Sequence, residues 1–307
     1  MCKCIKVKEK NIHFAIKVIL MFLFVLFFTI KNNALLGQQN SSLSSSVLPK
    51  SWALNIQLTP TLSSLNCDVY NNEREISYGF IGGFNIAYYL KRNNRFNMAF
   101  SVGLNYSKYN SNHNFNYMDS VWTKDADQDR VLIYEQCDNL KEKQAISYID
   151  IPLLLHFDFM LTSSFYAFVN IGYSFSIATI NNSYYTELTL TRKGYYPEYN
   201  ALIYDVDVPN SSYFYPTDKY MSDEGILNIK NNANLISVIG IRYRISPNLA
   251  FSLGLNSFIG VKNISNYRNN SNSTLVNNDR TINTLFYNSE KIKTNAHGLL
   301  VGMNIFF

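Results

Sequence analysis

The sequence has little that would mark a metalloprotein or an enzyme. Its 307 residues include four cysteines, and two of these, Cys2 and Cys4, lie at the extreme N terminus, so no zinc framework can be assembled. The four histidines (13, 113, 156 and 297) are scattered, none at metal-ligand spacing from another. Nor is there a net positive charge once the N terminus is set aside: residues 1–37 carry six Lys against one Glu, which accounts for the whole-chain +5. A basic groove for phosphates, and with it a nucleic-acid partner, therefore has no support. After Ile30 no run of eighteen apolar residues occurs, which excludes ordinary membrane-spanning helices. With 47% hydrophobic and 16% charged residues, the chain still has enough apolar surface to fold.

The N terminus has a sequence logic of its own. A lysine-rich stretch precedes Val18–Ile30, in which only Thr29 is polar. As a helix this run would span roughly 20 Å at about 1.5 Å per residue, short of the roughly 30 Å of a hydrocarbon core. It reads as a secretory signal peptide over residues 1–37, cut near Ala34–Gly37 and followed by a periplasmic segment, 38–51. No Cys follows the apolar run closely, so a lipid anchor is not indicated.

Beyond residue 51 the apolar residues alternate with small or polar ones. Phe96, Met98, Phe100, Val102, Leu104 and Tyr106 share one face, opposed by Asn97, Ala99, Ser101, Gly103 and Asn105. The pattern predicts eight strands: 52–62, 76–90, 95–109, 146–158, 164–180, 234–245, 248–263 and 294–307. Most exceed the five or six residues usual in soluble sheets, and match the roughly 9–11 that a tilted strand needs to cross a bilayer. The connections 63–75, 110–145, 181–233 and 264–293 are long; 91–94, 159–163 and 246–247 are short, and the two kinds alternate. Such asymmetry predicts an all-β, eight-stranded antiparallel up-and-down transmembrane barrel over 52–307, with tight periplasmic turns and long extracellular loops. A soluble barrel also alternates, but its outer face would carry Lys and Glu rather than Gly, Ala, Ser and Asn. Aromatic residues near strand ends (Trp52, Tyr88, Tyr89, Tyr106, Tyr109, Phe157, Phe159, Tyr243) suggest interfacial belts. Outer-membrane lipid and the barrel-assembly machinery are the partners this architecture implies.

Two stretches carry a family resemblance. ISYIDIPLLLHFDF (146–159) with SFYAFVNIGYSFSI (164–177), and the closing GLLVGMNIFF (298–307), resemble the PorT-like outer-membrane β-barrel proteins of Bacteroidota. The resemblance implies the barrel over roughly residues 50–307 and a terminal aromatic that serves as an assembly signal. An accessory role in type IX secretion, in which the named member of that family takes part, is an alternative function that architecture alone does not carry.

An eight-stranded barrel is narrow enough for its side chains to fill, so an open pore is not expected. Alternation turns Asp150, His156 and Asp158 inward on the fourth strand, and Arg242 and Arg244 on the sixth. His156, Asp158, Arg242 and Arg244 should lie at similar depth as a structural ion-pair cluster, with an ion path as the alternative. Asp125, Asp127 and Asp129 imitate the opening of a calcium loop, yet Arg130 and Gln136 replace the Gly and Glu such a loop needs, leaving a solvated acidic loop. His113, Asp119 and Ser120 supply the raw materials of a hydrolase without a motif, so neither catalysis nor a cofactor or metal is assigned. Tyrosines recur through 181–233; Tyr184, Tyr185, Tyr195, Tyr196, Tyr213 and Tyr215 suggest recognition of a surface ligand or a secretion-system protein, or a self-packed hairpin. Cys67 and Cys137 fall in the first two external loops, either as a disulfide or as two thiols.

Overall fold

The computed structural model describes residues 52–67, 73–92, 96–125, 127–204, 219–266 and 291–307, with Ile282, Thr284 and Ser289. The predicted signal peptide, the segment 38–51, Tyr213 and Tyr215 lie outside the described residues. Among the described residues twelve strands follow in order: β1 (Trp52–Cys67), β2 (Glu73–Glu75), β3 (Ser77–Arg92), β4 (Phe96–Lys124), β5 (Arg130–Met160), β6 (Phe165–Ala178), β7 (Ser183–Tyr196), β8 (Ala201–Ile203), β9 (Lys219–Ile226), β10 (Asn232–Ser246), β11 (Leu249–Gly260) and β12 (Ile292–Phe306).

Eight of them close a ring in which each strand pairs antiparallel with the next: β1, β3, β4, β5, β6, β10, β11, β12 and back to β1. Closure pairs every backbone edge, which is what lets a sheet stand in hydrocarbon. Both ends of the ring meet on the short-turn rim, where Trp52 and Phe307 exchange backbone hydrogen bonds of 3.3 and 3.0 Å.

The bulky face points out. Ile56, Phe84, Phe100, Leu155, Ile171 and Leu255 are all exposed, whereas their neighbours Asn55, Asn85, Ser101, His156, Asn170 and Asn256 are buried in the lumen. A soluble barrel requires the reverse, so hydrocarbon is the medium that fits this wall. Aromatic pairs ring the short-turn rim: Trp52 with Tyr88 (4.8 Å between centroids), Phe96 with Phe159 (5.3 Å) and Phe165 with Tyr243 (4.7 Å). Tyr89 and Tyr109, expected in such belts, instead turn into the interior and are buried.

The largest departure from expectation is the segment 110–145. Predicted as a loop, it is mostly strand: β4 and β5 run on together as one hairpin whose turn is confined to residues 125–129. Two features hide it in the sequence. Above the membrane-facing stretch the polar side chains are the outward ones, with Asn110, Asn112, Asn114 and Asn116 on successive outward positions of β4. A bulge then breaks the period of β5: Phe115 is opposite Leu140 and Tyr117 opposite Cys137, so one extra residue stands on the β5 side. Asn139 takes it up with a positive φ of 59°, and its N–H donates to Asn116 Oδ1 at 3.1 Å.

Beyond the ring, β5 changes neighbours. From Tyr148 to Met160 it pairs with β6; from Leu132 to Ala145 it pairs with β7. The crossover is fastened by Asn182 Oδ1, which accepts from Ser147 N at 2.8 Å, and by Thr179 N–H, which donates to Ser147 O at 3.0 Å. With β9 paired to β7, the strands β4, β5, β7 and β9 form a sheet that projects past the barrel. Three strands thus come from the tyrosine-rich connection predicted at 181–233: β7, β8 and β9.

Candidate functional site

Two places hold concentrated chemistry, the lumen and the projecting sheet. In the lumen, Arg242 on β10 pairs with Asp158 on β5 at 2.5 Å, both almost fully buried. The guanidinium also donates to Ser252 Oγ on β11 (3.2 Å) and to Tyr89 OH on β3 (3.4 Å), and Tyr89 in turn donates to Asp158. Groups from four strands thus meet across the lumen. The Phe168 ring lies 5.1 Å from the Arg242 guanidinium. It occupies space that Gly240 leaves: a Cβ there would come within 2.8 Å of the ring.

The other two members of the predicted cluster are placed differently. His156 hydrogen-bonds Ser101 Oγ at 2.6 Å, across the β4–β5 pairing. Arg244, near the rim, lies over the rings of Tyr166 (5.1 Å) and Phe306 (5.4 Å) rather than against a carboxylate. The cluster therefore divides into one ion pair, one histidine–serine contact and one cation on aromatic faces, because the facing strands place Tyr166 and Phe306 where an acid was expected. Asp150 is buried, in register with Asn105 and Ser176.

Higher in the lumen, Asn232, Asn234, Ser176 and Thr294 share a hydrogen-bond network with links of 2.8–3.1 Å. Above it lies an apolar layer built from Leu65, Tyr109, Ile146, Tyr148, Ile264 and Ile292 with Leu227 and Ile229. Polar and apolar layers thus succeed one another along the lumen.

The projecting sheet has a buried inner face. Phe115, Tyr117, Cys137, Leu140, Leu188, Leu190 and Ile282 pack together there. Beside them stands an ion pair that alternation did not predict: Glu135 with Arg192, directly opposed on β5 and β7 and each 2% exposed. Opposite charges at positions 135 and 192 were visible, but nothing in the sequence aligned the two strands. Glu142 accepts from Thr186 Oγ1 at 3.1 Å on the same face.

Alternation along β7 separates the predicted tyrosines. Tyr184 packs inward against the apolar layer, Tyr185 faces out, and Tyr196 joins Val131 and Ile133. Tyr195 donates to Asn200 Oδ1 (3.0 Å), while Tyr199 donates to Asp129 Oδ2 (3.0 Å) and ties two hairpin tips together. That carboxylate holds the Tyr199 phenol above its ordinary range. The acidic triplet is a turn: Asp125 Oδ1 accepts from the N–H groups of Asp127 and Asp129, both at 3.0 Å. His113 is buried and contacts Ser111 Oγ at 3.0 Å, whereas Asp119 and Ser120 are exposed further along β4, so these three are not assembled. Cys67 and Cys137 form no disulfide, since they are buried in separate apolar clusters. Burial pushes the Cys137 thiol up to about 12.

The sequence of residues 37–260 matches the family described as outer membrane protein beta-barrel domain. The chain belongs to that family. As an outer-membrane β-barrel protein it resides in the outer-membrane bilayer, with the exposed aliphatic wall against lipid. Among solved structures it is similar to Neisserial surface protein A, at 11% identity over 83% of this chain and 99% of that one, with a TM-score of 0.34. It is likewise similar to OprG of Pseudomonas aeruginosa (11%, 84% and 97%, TM-score 0.32) and to Ail, the attachment invasion locus protein of Yersinia pestis (11%, 83% and 99%, TM-score 0.26). No curated protein matches the sequence.

Proposed function

We propose that this outer-membrane barrel is a closed anchor that presents the β4–β5–β7–β9 sheet outside the cell as a binding or assembly surface. The observation that carries the reading is the length of β4 and β5. Both continue as a paired hairpin well past Tyr106 and Ile149, where the continuous run of outward apolar side chains ends. The lumen beneath is crossed by the Arg242–Asp158 pair and capped by the apolar layer, which favours an anchor over a channel. Export by the signal peptide of residues 1–37 and insertion by the barrel-assembly machinery through the C-terminal Phe307 belong to the same reading.

Surface protease treatment of intact cells is the direct test. Cleavage within the turn at 125–129, with the barrel fragment protected, is the expected result; protection of the whole chain until the cells are lysed would remove the reading. Planar-bilayer recording should find no steady conductance.

A second reading draws on the PorT-like stretches 146–159, 164–177 and 298–307, which favour an accessory subunit of a secretion translocon in a Bacteroidota cell. Extraction in mild detergent separates the two. A stable heteromeric complex favours the subunit, and a monomer that captures a ligand favours recognition.

A further inference from the structure

The outward face of the projecting sheet holds a groove of about 570 Å³. One residue from each of four strands meets there in a single row: Asn112 of β4 is in register with Lys143 of β5, Lys143 with Tyr185 of β7, and Tyr185 with Glu224 of β9. Residues opposed in this way project from one face of a sheet. Asn110 and Ser183 lie along its lower edge. The volume falls in the range of small-ligand sites, roughly 300–1,000 Å³.

The row offers complementary chemistry at short spacing. Tyr185 presents a ring, and its hydroxyl donates to Glu187 at 3.5 Å; Tyr220 donates to the same carboxylate at 3.4 Å and Lys141 pairs with it at 3.6 Å. These contacts hold the Tyr185 ring in place. The Lys143 ammonium lies over the ring, 6.0 Å from its centroid, so donor and aromatic face stand close together. Asn110 and Asn112 each bring donors and an acceptor, Glu224 brings acceptors only, and Ser183 brings a hydroxyl.

A hexose has a C–H face and a rim of hydroxyls that both donate and accept. An aromatic ring takes the first; amide, ammonium and carboxylate groups take the second. The positive charges of Lys143 and Lys141 are balanced by Glu224 and Glu187, so the groove is suited to hydroxyls more than to a polyanion. Its height is informative as well. It lies just above Tyr106 and Ile149, where the continuous run of outward apolar residues on β4 and β5 ends, at the level where outer-leaflet headgroups begin.

We propose that this groove binds a hexose-containing saccharide, with Tyr185 as the stacking platform and Asn112, Lys143 and Glu224 as hydroxyl partners. The proposal rests on the reading that the sheet faces the exterior. Two sources supply such a ligand: the headgroup of an outer-leaflet glycolipid, and a soluble or polymeric glycan.

The test is calorimetric titration of the full folded protein in detergent with two probes, dephosphorylated lipopolysaccharide core oligosaccharide and intact lipopolysaccharide in mixed micelles. Saturable binding of the oligosaccharide, weakened tenfold or more by Tyr185→Ala and by Asn112→Leu, supports the site with a free glycan as ligand. The same losses seen only with the intact glycolipid support it with the membrane as source. Binding of neither probe, or equal binding by wild type and variants, overturns the proposal. Heat-modifiable gel mobility checks folding, and if Tyr185→Ala does not fold, Tyr185→Phe joined to Lys143→Gln and Glu224→Gln takes its place with the same expected loss. Labelling of Gln136→Cys in intact cells by an impermeant maleimide keeps the two readings apart. A labelled cell with no saccharide binding loses only the groove, and an unlabelled one loses the exterior sheet as well.

Discussion

The two halves of β5 alternate in opposite senses. From Ile149 to Phe159 the outward positions are Ile149, Ile151, Leu153, Leu155, Phe157 and Phe159, and the inward ones include Asp150, His156 and Asp158. From Val131 to Gln144 the outward positions include Tyr134, Gln136, Asp138, Lys141 and Lys143, while Val131, Ile133, Cys137 and Leu140 turn in. Alternation itself is common to both halves because the pleat imposes it. What differs is the medium outside: hydrocarbon accepts the aliphatic residues of the lower half, and water accepts the amides and charges of the upper half. Each interior then follows from its wall. The lower one gathers polar groups that must satisfy one another, and the upper one combines an apolar cluster with buried polar groups, among them the Glu135–Arg192 ion pair and Glu142.

The strongest way to break this contrast is inside the lower half. Asp158→Ala leaves the Arg242 guanidinium buried without its carboxylate, and should cost about 3–5 kcal/mol, read as a lower midpoint of heat-modifiable unfolding. Replacing both partners together, Asp158→Leu with Arg242→Met, should recover most of that loss, since the pair's own desolvation penalty goes with it. A double variant as unstable as the single one would mean that the contact specifies the strand arrangement rather than merely satisfying itself.

The wall sharpens the comparison next. Leu155→Arg places a charge against hydrocarbon and should destabilise by about 2–4 kcal/mol. Gln136→Arg, on the same strand and the same outward face, should stay within about 0.5 kcal/mol, because water already bathes that position. Equal effects at the two sites, measured as denaturant midpoints in lipid vesicles, would erase the distinction between the halves.

A smaller effect belongs to the joint between them. Asn139 carries the extra residue of the bulge in the left-handed region, where Ala is strained by about 1–2 kcal/mol and Gly is not. Asn139→Ala should make the projecting hairpin more susceptible to protease while the ring below keeps its unfolding midpoint. Asn139→Gly should leave both nearly unchanged.

How much of this the sequence disclosed follows from the same contrast. The eight ring strands were legible because each has a bulky face and a small or polar face over its whole membrane-crossing length. Asp158 and Arg242 were placed at one depth because both strands end at the short-turn rim, which needs no knowledge of their lateral order. The upper half of the β4–β5 hairpin was not legible: its outward asparagines resemble a loop, and the bulge at Asn139 shifts the period by one. Nor was the meeting of Glu135 with Arg192, or of Lys143 with Tyr185, because β5 trades β6 for β7 at Ser147 and local periodicity carries no record of a change in partner. The groove on the projecting sheet is a product of that exchange, and sequence reading found only its tyrosine.

Cys137 probes the upper half with the smallest perturbation. Its thiol lies in the apolar face of the projecting sheet, and burial pushes it up to about 12. Near neutral pH it stays protonated and covered, so alkylation by a maleimide should be slow in the native protein and should accelerate in Asn139→Ala, where the hairpin opens more often. The linkage has a definite sign. Because the folded thiol holds its proton more tightly than the unfolded one, its contribution is fully present below about pH 8.5 and is lost as pH rises toward about 12. The upper sheet should therefore loosen in alkali before the lower ring does, as protease sensitivity appearing at a pH where heat-modifiable mobility is still intact. Cys137→Ala should remove the thiol's share of that pH dependence at the expense of a small cavity. If rapid labelling of native Cys137 were found at neutral pH, the projecting sheet would have no packed inner face, and the comparison between the two halves would rest on the wall alone.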